Sequence, residues 1–351
     1  MKAKELAKLL GVSPATISLL VNDKPGLSQK TRKKLTEQII ELGYGSMLGQ
    51  GKAAEETKAV EEVSPVRPSI AYISYKQKDP WEDIYSFYVG VLEGAQQEAR
   101  EIDCNLVVIY RESESNLKRA LKRAGEVIGA IIVCDDVTQE ILQELDGLNI
   151  PCVFIDVFDP NLPVNSVNVD NRQSMYRIVD YLKNMGHREI GYVVSGWFSD
   201  SNEDRRIAFR RAIRDLHLRE RQEFFFSAGN EKGPMDTSVL EALFTNLENM
   251  PTALCTENDS EALRTVNALK RCGFRVPEDV SVVGFDDNPL SRICEPRLTT
   301  VRSSRHRMGR ECVAMILRLK RLRESDTVQM PMKISISTDI VERDSVARIE
   351  R

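Results

Sequence analysis

Residues 4–18 read KELAKLLGVSPATIS, and this stretch decides the fold at the start of the chain. Its leucines share one face of a first predicted helix, which ends at Gly11. Ser13 is a favourable N-cap and Pro14 a favourable first helical residue, so a second helix begins directly after the glycine. Two helices joined in this way predict a helix-turn-helix, whose second helix enters the major groove of DNA.

A third predicted helix begins after its cap, Ser28, and ends at Gly43, and the three helices form a predicted DNA-binding domain of residues 1–48. Hydroxyl and guanidinium groups of this domain are expected to contact phosphates, while the outward face of the second helix meets the bases. The residues predicted to contact DNA are Ser13, Pro14, Ala15, Thr16, Ser18, Leu19, Asn22, Ser28, Thr31 and Arg32.

The charge of the chain is distributed unevenly. Residues 1–48 contain eight Lys or Arg against four Asp or Glu, a net charge of +4, whereas residues 49–351 contain 41 against 49, a net charge of −8. A basic segment on an acidic chain attracts DNA phosphates locally, although the same lysines can simply solvate a helical surface. The capped second helix favours the DNA interpretation.

Length and composition allow more than one folded domain, because the chain has 351 residues, of which 42% are hydrophobic and 29% charged. No apolar run reaches the length of a signal sequence or a membrane span, which predicts a cytoplasmic protein without membrane attachment. The seven cysteines include no CxxC pair and are expected to be reduced core residues. Neither a metal nor a cofactor is predicted.

Residues 49–68 combine glycines, prolines and four glutamates, which is typical of a linker. From residue 69 onward, short apolar strands alternate with helices in two successive sets, which predicts a two-lobed α/β domain with parallel, doubly wound sheets. One lobe is assigned residues 69–167 with 301–330, and the other 168–297 with 331–346. A small ligand is expected between the lobes, at the carboxyl ends of the strands.

Several motifs, taken in order along the chain, resemble those of the LacI/GalR family of transcriptional repressors. They are LAKLLGVSPATIS at residues 6–18, NDKPGLS at 22–28, VDN at 169–171, GHREI at 186–190, ND at 258–259, SVVGFDD at 281–287 and PRLTTV at 296–301. This resemblance implies a small all-α helix-turn-helix domain followed by an effector domain like the periplasmic sugar-binding proteins. It also implies a homodimer that binds double-stranded operator DNA under the control of a small molecule.

The same resemblance suggests effector-binding residues. Asp286 matches the family's carboxylate that accepts ligand hydroxyl protons, and Arg206 aligns with its effector-binding arginine, although Arg205 beside it leaves the register open. Asn258 and Asp156 each follow a predicted strand and are candidate contacts to a polyhydroxy ligand such as a sugar. For each of these residues, a capped loop or an ion pair between the lobes is the structural alternative.

Aromatic residues cluster after the first strand of the effector domain, where the family places groups that cover the ligand. Trp81, Tyr85 and Tyr88 are the candidates. Sugars present CH faces that stack on such rings, yet an aromatic cluster at a helix start is equally compatible with a core or a dimer interface.

Two features depart from the family pattern. The second helix has Leu19 where relatives usually carry a base-reading arginine, so bidentate recognition of guanine is not expected there. Residues 45–53 lack the family's Arg-Pro-Asn, and Ala53 lies near the position of the leucine that wedges into the minor groove. A hinge helix that kinks DNA is therefore not expected.

Taken with the family resemblance, these observations predict a ligand-responsive repressor of a sugar or related metabolite operon, with the effector acting as inducer or corepressor. Catalysis is not expected, because the chain has no P-loop and no HExxH, GxSxG or strand-linked GxGxxG motif. The two departures leave one alternative open, namely a small-molecule sensor of the same fold with weak or non-specific DNA binding.

Overall fold

The computed structural model divides the chain into two compact units, residues 1–65 and 66–351. It describes residue 7 and residues 10–21, 26–41, 67–75, 84–111, 117–134, 136–194, 199–228, 236–325 and 330–350. Residues 49–66 of the predicted linker, including Ala53, lie outside these ranges. No helix within them is long and apolar enough to cross a membrane.

The first unit contains the predicted helix-turn-helix. Its second and third helices are α1 (Pro14–Val21) and α2 (Gln29–Glu41). Of the predicted first helix, Ala7 is helical, and most of the other residues lie outside the described part of the chain. Gly11 has a φ of +64°, the left-handed conformation that favours glycine after the end of a helix. A small core joins the elements, and its buried members are Ala7, Ile17, Leu20, Leu35 and Ile39.

The first of two sheets in the second unit is parallel throughout. Its strands are β1 (Ser69–Ser74), β2 (Asn105–Tyr110), β3 (Val127–Val133), β4 (Cys152–Ile155), β5 (Ser166–Val169) and β11 (Lys333–Ile336), in the order β11-β5-β4-β3-β1-β2. The helices on one face are α3 (Ile84–Glu101) and α10 (Arg305–Glu324), and those on the other are α4 (Leu117–Arg123) and α5 (Gln139–Asp146).

The residues of β1 explain why this sheet is covered twice. All six are buried, because Ile70 and Tyr72 pack on the face of α3 while Ala71 and Ile73 pack on the face of α4. A short strand that is apolar on both faces is typical of the centre of a parallel sheet.

Two glycines set the close packing of α3 against α10. A Cβ at Gly94 would lie 2.0 Å from the carbonyl oxygen of His306, and a Cβ at Gly309 would lie 2.0 Å from that of Val91. The two helices therefore touch through their backbones, which any larger residue at these positions would prevent.

The second sheet contains β6 (Ile190–Val194), β7 (Phe225–Ser227), β8 (Ala253–Thr256), β9 (Ser281–Phe285), β10 (Thr299–Arg302) and β12 (Asp339–Val341). Its order is β12-β10-β9-β8-β6-β7, with β12 antiparallel to β10 and the other pairs parallel. One face is covered by α6 (Asn171–Asn184) and α7 (Asp200–Asp215), and the other by α8 (Thr237–Thr245) and α9 (Asp259–Arg271).

The chain passes between the two sheets three times, after β5, after β10 and after β11. Two strands belong to a different lobe from the one that the predicted ranges give them. β11, which was expected in the second lobe, pairs with β5 of the first sheet, and the last residues of β10, expected in the first lobe, pair within the second. Both strands are only four residues long and adjoin a crossover, so the sheet they complete depends on backbone pairing rather than on hydrophobic pattern.

Candidate functional site

Hydroxyl caps begin both described helices of the first unit. The backbone N–H of Thr16 donates to Ser13 Oγ at 3.1 Å, and that of Thr31 donates to Ser28 Oγ at 3.2 Å. Within each pair the two hydroxyl oxygens are 2.8 Å and 2.7 Å apart, respectively. The caps stabilise the helices, and they also present hydroxyls and first-turn N–H groups of the kind that contact phosphate.

The outward face of α1 is built from small, uncharged side chains. Pro14, Ala15 and Ser18 are exposed, and Leu19 is half-buried. Leu19 lies close to Gly26, because a Cβ at Gly26 would be 3.3 Å from its Cδ1. Asn22 lies outside the described residues. This face offers methyl and hydroxyl groups to a base edge, and α2 adds the half-buried Arg32 next to the exposed Lys33 and Lys34.

The carboxyl ends of β8 and β9, neighbouring strands of the second sheet, carry Glu257, Asn258 and Asp286. Asp286 has a φ of +100°, and its side chain is 18% exposed. The hydroxyl of Ser303, in the crossover after β10, donates to Asp286 Oδ1 at 3.1 Å. The predicted carboxylate is therefore held next to a connection between the lobes, where a ligand at the strand ends can reach it.

Arg205, and not the predicted Arg206, is the arginine directed toward Asp286. Arg205 Nη2 lies 3.9 Å from Asp286 Oδ1, a charge contact that is too long for a hydrogen bond. The rest of its guanidinium is fixed, because Nε donates to Asn171 Oδ1 at 3.0 Å and Nη1 donates to the carbonyl oxygen of Glu257 at 2.5 Å. The group also stacks on Phe285, with Cζ 3.8 Å from the ring centre.

Arg206 instead balances a buried charge. Its Nε donates to Glu257 Oε1 at 2.8 Å, and its Nη1 lies 3.2 Å from Glu203 on the same helix. The Glu257 side chain is fully buried, so its carboxylate depends on this partner for compensation. Glu203, Arg206 and Glu257 all belong to the second lobe, so these are ion pairs within a lobe and not the predicted alternative of an ion pair between the lobes.

Asn258 is an N-cap. Its Oδ1 accepts a hydrogen bond from the backbone N–H of Glu261 at 2.9 Å, at the start of α9. The residue is half-buried at the strand end, and its amide also has an Nδ2 donor. The capped-loop alternative accounts for one side of this amide.

Asp287 anchors the loop that carries Asp286. Its buried carboxylate accepts hydrogen bonds from Arg302 Nε at 2.9 Å and from Arg292 Nη2 at 3.0 Å. It also accepts a short hydrogen bond from Arg343 Nη2. Burial raises the pKa of Asp287, but the hydrogen bonds from the arginines outweigh burial and lower the pKa to about 2. Arg305, at the start of α10, donates to the Asp287 carbonyl oxygen at 3.2 Å, which ties the loop to the first lobe.

A second buried carboxylate lies behind this loop. Asp259 accepts hydrogen bonds from the Thr300 hydroxyl and from the backbone N–H of Asn288, the latter at 2.7 Å. Burial raises the pKa of Asp259 well above its usual value. Gly284 leaves the space for it, since a Cβ there would be 2.2 Å from Asp259 Oδ1.

Of the four predicted ligand contacts in the first lobe, the structure describes the side chains of two, Asp156 and Tyr88. Asp156 follows β4 at the carboxyl end of the first sheet, with a φ of +64° and a half-buried side chain. Tyr88 packs edge-to-face on Phe87, with ring centres 5.2 Å apart, and belongs to the core side of α3. Trp81 and the side chain of Tyr85 lie outside the described part of the structure.

Three residues that are not among the predicted site residues support the Arg205–Asp286 pair. They are Asn171, Ser303 and Glu257, all less than 4% exposed. Asn171 and Ser303 lie at crossovers between the sheets, so each member of the pair is held by a residue at a different crossover. The VDN motif marks Asn171 in the sequence, but nothing in the sequence alone links it to Arg205. Within the described ranges, no group of three His, Cys, Asp or Glu side chains is arranged to hold a metal ion.

Comparisons with known proteins identify the two parts of the chain. A family model described as "Bacterial regulatory proteins, lacI family" matches residues 2–46, and one described as "Periplasmic binding protein-like domain" matches residues 179–346. A curated relative, the "HTH-type transcriptional repressor PurR" of Vibrio cholerae serotype O1 (strain M66-2), is 26% identical over 351 residues. The alignment covers 98% of this chain and 97% of the relative.

Solved structures have the same fold. The lac repressor dimer bound to operator and the anti-inducer ONPF matches with a TM-score of 0.63 and 22% identity, covering 99% of both chains. The LacI family transcriptional regulator CCPA from Weissella paramesenteroides, with bound glucose, matches with a TM-score of 0.62 and 22% identity, covering 81% of this chain and 99% of that one.

Proposed function

We propose that the chain, which matches the lacI family model at residues 2–46 and the periplasmic binding protein-like model at residues 179–346, is a DNA-binding transcriptional regulator controlled by a small molecule. It acts as a repressor in the cytoplasm, where it binds operator DNA with its helix-turn-helix and a sugar or related metabolite between its lobes. PurR, the curated relative, is named a repressor, and the CCPA structure holds glucose. The protein works by binding, without a catalytic step.

The Arg205–Asp286 pair is the observation that carries this proposal. The 3.9 Å between Arg205 Nη2 and Asp286 Oδ1 leaves a carboxylate and a guanidinium side by side without a direct hydrogen bond. A ligand hydroxyl can donate to the carboxylate and accept from the guanidinium at the same time. Since Asn171 and Ser303 connect the pair to two crossovers, a ligand that tightens it also acts on the connections between the lobes.

The proposal includes a homodimer, in which a second copy covers exposed apolar residues. Val108 and Tyr110 are exposed on the edge strand β2, and Val239 and Leu243 are exposed on α8. Ile293, after a short 3-10 helix, is 79% exposed. Apolar side chains of this size on two lobes are typical of a subunit interface. Sedimentation equilibrium tests the proposed dimer. The wild type should be dimeric and the double variant Tyr110→Asp, Ile293→Asp monomeric. A variant that remains dimeric contradicts an interface at these residues.

A second candidate function is a ligand sensor with weak or non-specific DNA binding. The small uncharged face of α1, with Leu19 packed against Gly26, favours it, because this face has no side chain for bidentate base recognition. Selection of binding sites from random duplexes separates the two candidates. A repressor enriches a palindromic site, whereas a sensor of this kind enriches none.

Calorimetry tests the ligand site. D-glucose, cellobiose and sucrose are titrated into the wild type, into Asp286→Asn and into the exposed control Asp279→Asn. Asparagine is chosen because it tolerates the positive φ of Asp286. Loss of a charged hydrogen bond should weaken binding by about 1.5–3 kcal/mol, which is roughly tenfold to 150-fold. Equal affinity of the wild type and Asp286→Asn for a sugar contradicts the site, and failure of the wild type to bind any of the three contradicts the choice of ligand class.

A further inference from the structure

The first lobe carries a concentration of positive charge, which we call the basic edge. It consists of Lys118, Lys122 and Arg123 on α4 and of Lys320, Arg321 and Arg323 on α10. Lys320 is half-buried and the other five are exposed. Within the described part of the chain, none of the six forms an ion pair with a carboxylate. These six charges are therefore available to an outside partner.

The C-terminal ends of α4 and α10 lie at the same edge of the first sheet, on its opposite faces. A cleft of about 570 Å³ at this edge is lined by Glu126 and Val127, which follow α4, and by Lys320 and Arg323 of α10. The amine of Lys118 lies next to Gly147, at the end of α5. The basic edge thus surrounds the N-terminal ends of the strands, opposite to the strand ends that carry Asp156.

The chain that comes from the helix-turn-helix enters the second unit at this edge. Ser69, the first residue of β1, donates its backbone N–H to the Glu126 carbonyl oxygen at 2.7 Å and its hydroxyl to the Ala124 carbonyl oxygen at 3.0 Å. Because Ala124 and Glu126 directly follow α4, the covalent connection to residues 1–65 arrives beside the basic edge.

The composition of the edge fits a polyanion. Residues 49–351 have a net charge of −8, so an average surface of this part repels DNA. The basic edge instead presents six cations against the nearby carboxylates of Asp103, Glu126 and Glu324, and Asp103 already pairs with Arg67 at 3.0 Å. None of the large apolar side chains found exposed on the described surface lies on α4 or α10. An apolar protein partner is therefore less well matched here than a phosphate backbone.

We propose that the basic edge contacts phosphates of the same duplex that the helix-turn-helix binds. The inference rests on the proposed function, since it requires DNA binding by the helix-turn-helix. These contacts carry no sequence information, but they release counterions and strengthen the complex at low salt. They compensate for a linker in which no minor-groove leucine is expected.

Salt dependence of DNA binding by the full chain tests the proposal. The affinity for a duplex that holds the selected site and long flanks is measured between about 50 and 200 mM salt. The test variant is Lys118→Gln, Lys122→Gln, Arg123→Gln. The matched control is Arg211→Gln, Arg214→Gln, Arg219→Gln, which removes the same charge from exposed positions on the second lobe. A second test variant, Lys320→Gln, Arg321→Gln, Arg323→Gln, keeps the test valid if the α4 variant does not fold.

The slope of log affinity against log salt should become shallower by about 0.9 for each phosphate contact that a test variant loses. The control should keep the wild-type slope, because it changes the net charge without touching the edge. Test variants that fold and match the control overturn the proposal and leave the proposed function standing. A wild type that binds no duplex DNA overturns both.

Discussion

Replacing Asp287 with asparagine tests how the loop beside the candidate ligand site is held. Asp287 is 1% exposed and accepts hydrogen bonds from Arg343, Arg302 and Arg292. Arg343 is 10% exposed, whereas the side chains of Arg302 and Arg292 are more than half exposed and can turn to solvent. Removing one partner of a buried ion pair costs about 3–5 kcal/mol. We expect the lower end, about 3 kcal/mol, because only Arg343 is left with a buried charge.

The pH dependence gives a second measure of the same group. The pKa of Asp287 falls from 3.8 to about 2 because the arginine hydrogen bonds outweigh burial, and this shift is equivalent to roughly 2 kcal/mol of stability. For a carboxyl with a lowered pKa, this contribution is present above the unfolded-state value of 3.8 and is lost as the pH falls through the folded-state value of about 2. The difference between wild type and Asp287→Asn should therefore stay constant down to about pH 4 and shrink below it.

Urea unfolding followed by circular dichroism, repeated at several pH values, measures both effects. Asp279→Asn is the matched control, because the Arg275–Asp279 pair is also a close contact but its arginine side chain is 71% exposed. The control should unfold near the wild-type midpoint. An Asp287→Asn variant as stable as the control, or a difference that does not change below about pH 4, refutes this explanation of the loop.

Three further predictions concern separate parts of the molecule. Gly309→Ala should lower the free energy of unfolding by about 1–3 kcal/mol, because the new Cβ would lie 2.0 Å from a backbone oxygen. The control Gly147→Ala, whose Cβ would make only ordinary contacts, should leave that free energy unchanged. Equal urea midpoints of the two variants contradict this prediction. Burial lowers the pKa of His187, so the unfolded chain takes up a proton more readily than the folded one, and stability should fall as the pH drops below about 6.5. A His187→Gln variant that keeps this pH dependence shows that His187 does not cause it. Leu19→Arg should change the selected half-site toward guanine at one position, and an unchanged site in the same selection contradicts its contact with the bases.

Much of the fold could be predicted because its strands and helices have strong hydrophobic patterns. The apolar runs at residues 152–155, 190–194 and 281–285 each predict a strand, and the structure has a strand over the same residues. The pattern from Leu117 to Ala124 predicts a helix, and the observed helix ends one residue earlier, at Arg123. The strands that adjoin the crossovers were not predicted. In β11, for example, only Ile336 is buried, so its four residues show little periodicity, and its place in the first sheet depends on pairing with β5.

The candidate site could be predicted only in part. The motif ending in Asp286–Asp287 located the carboxylate, but adjacent arginines on α7 differ by 100° around the helix axis, and only tertiary packing decides which one faces β9. Arg205 is the one that stacks on Phe285 and approaches Asp286, while Arg206 neutralises Glu257. Ser303 could not be predicted, because it meets Asp286 through a connection distant in sequence.

Selection of binding sites from random duplexes, carried out with the full-length wild type, tests the central claim most directly. A working repressor should enrich a palindrome whose half-sites are about one helical turn apart, and affinity for it should exceed that for random DNA by roughly a thousandfold or more. Binding that weakens with salt but enriches no sequence would contradict the repressor and support the sensor in its place.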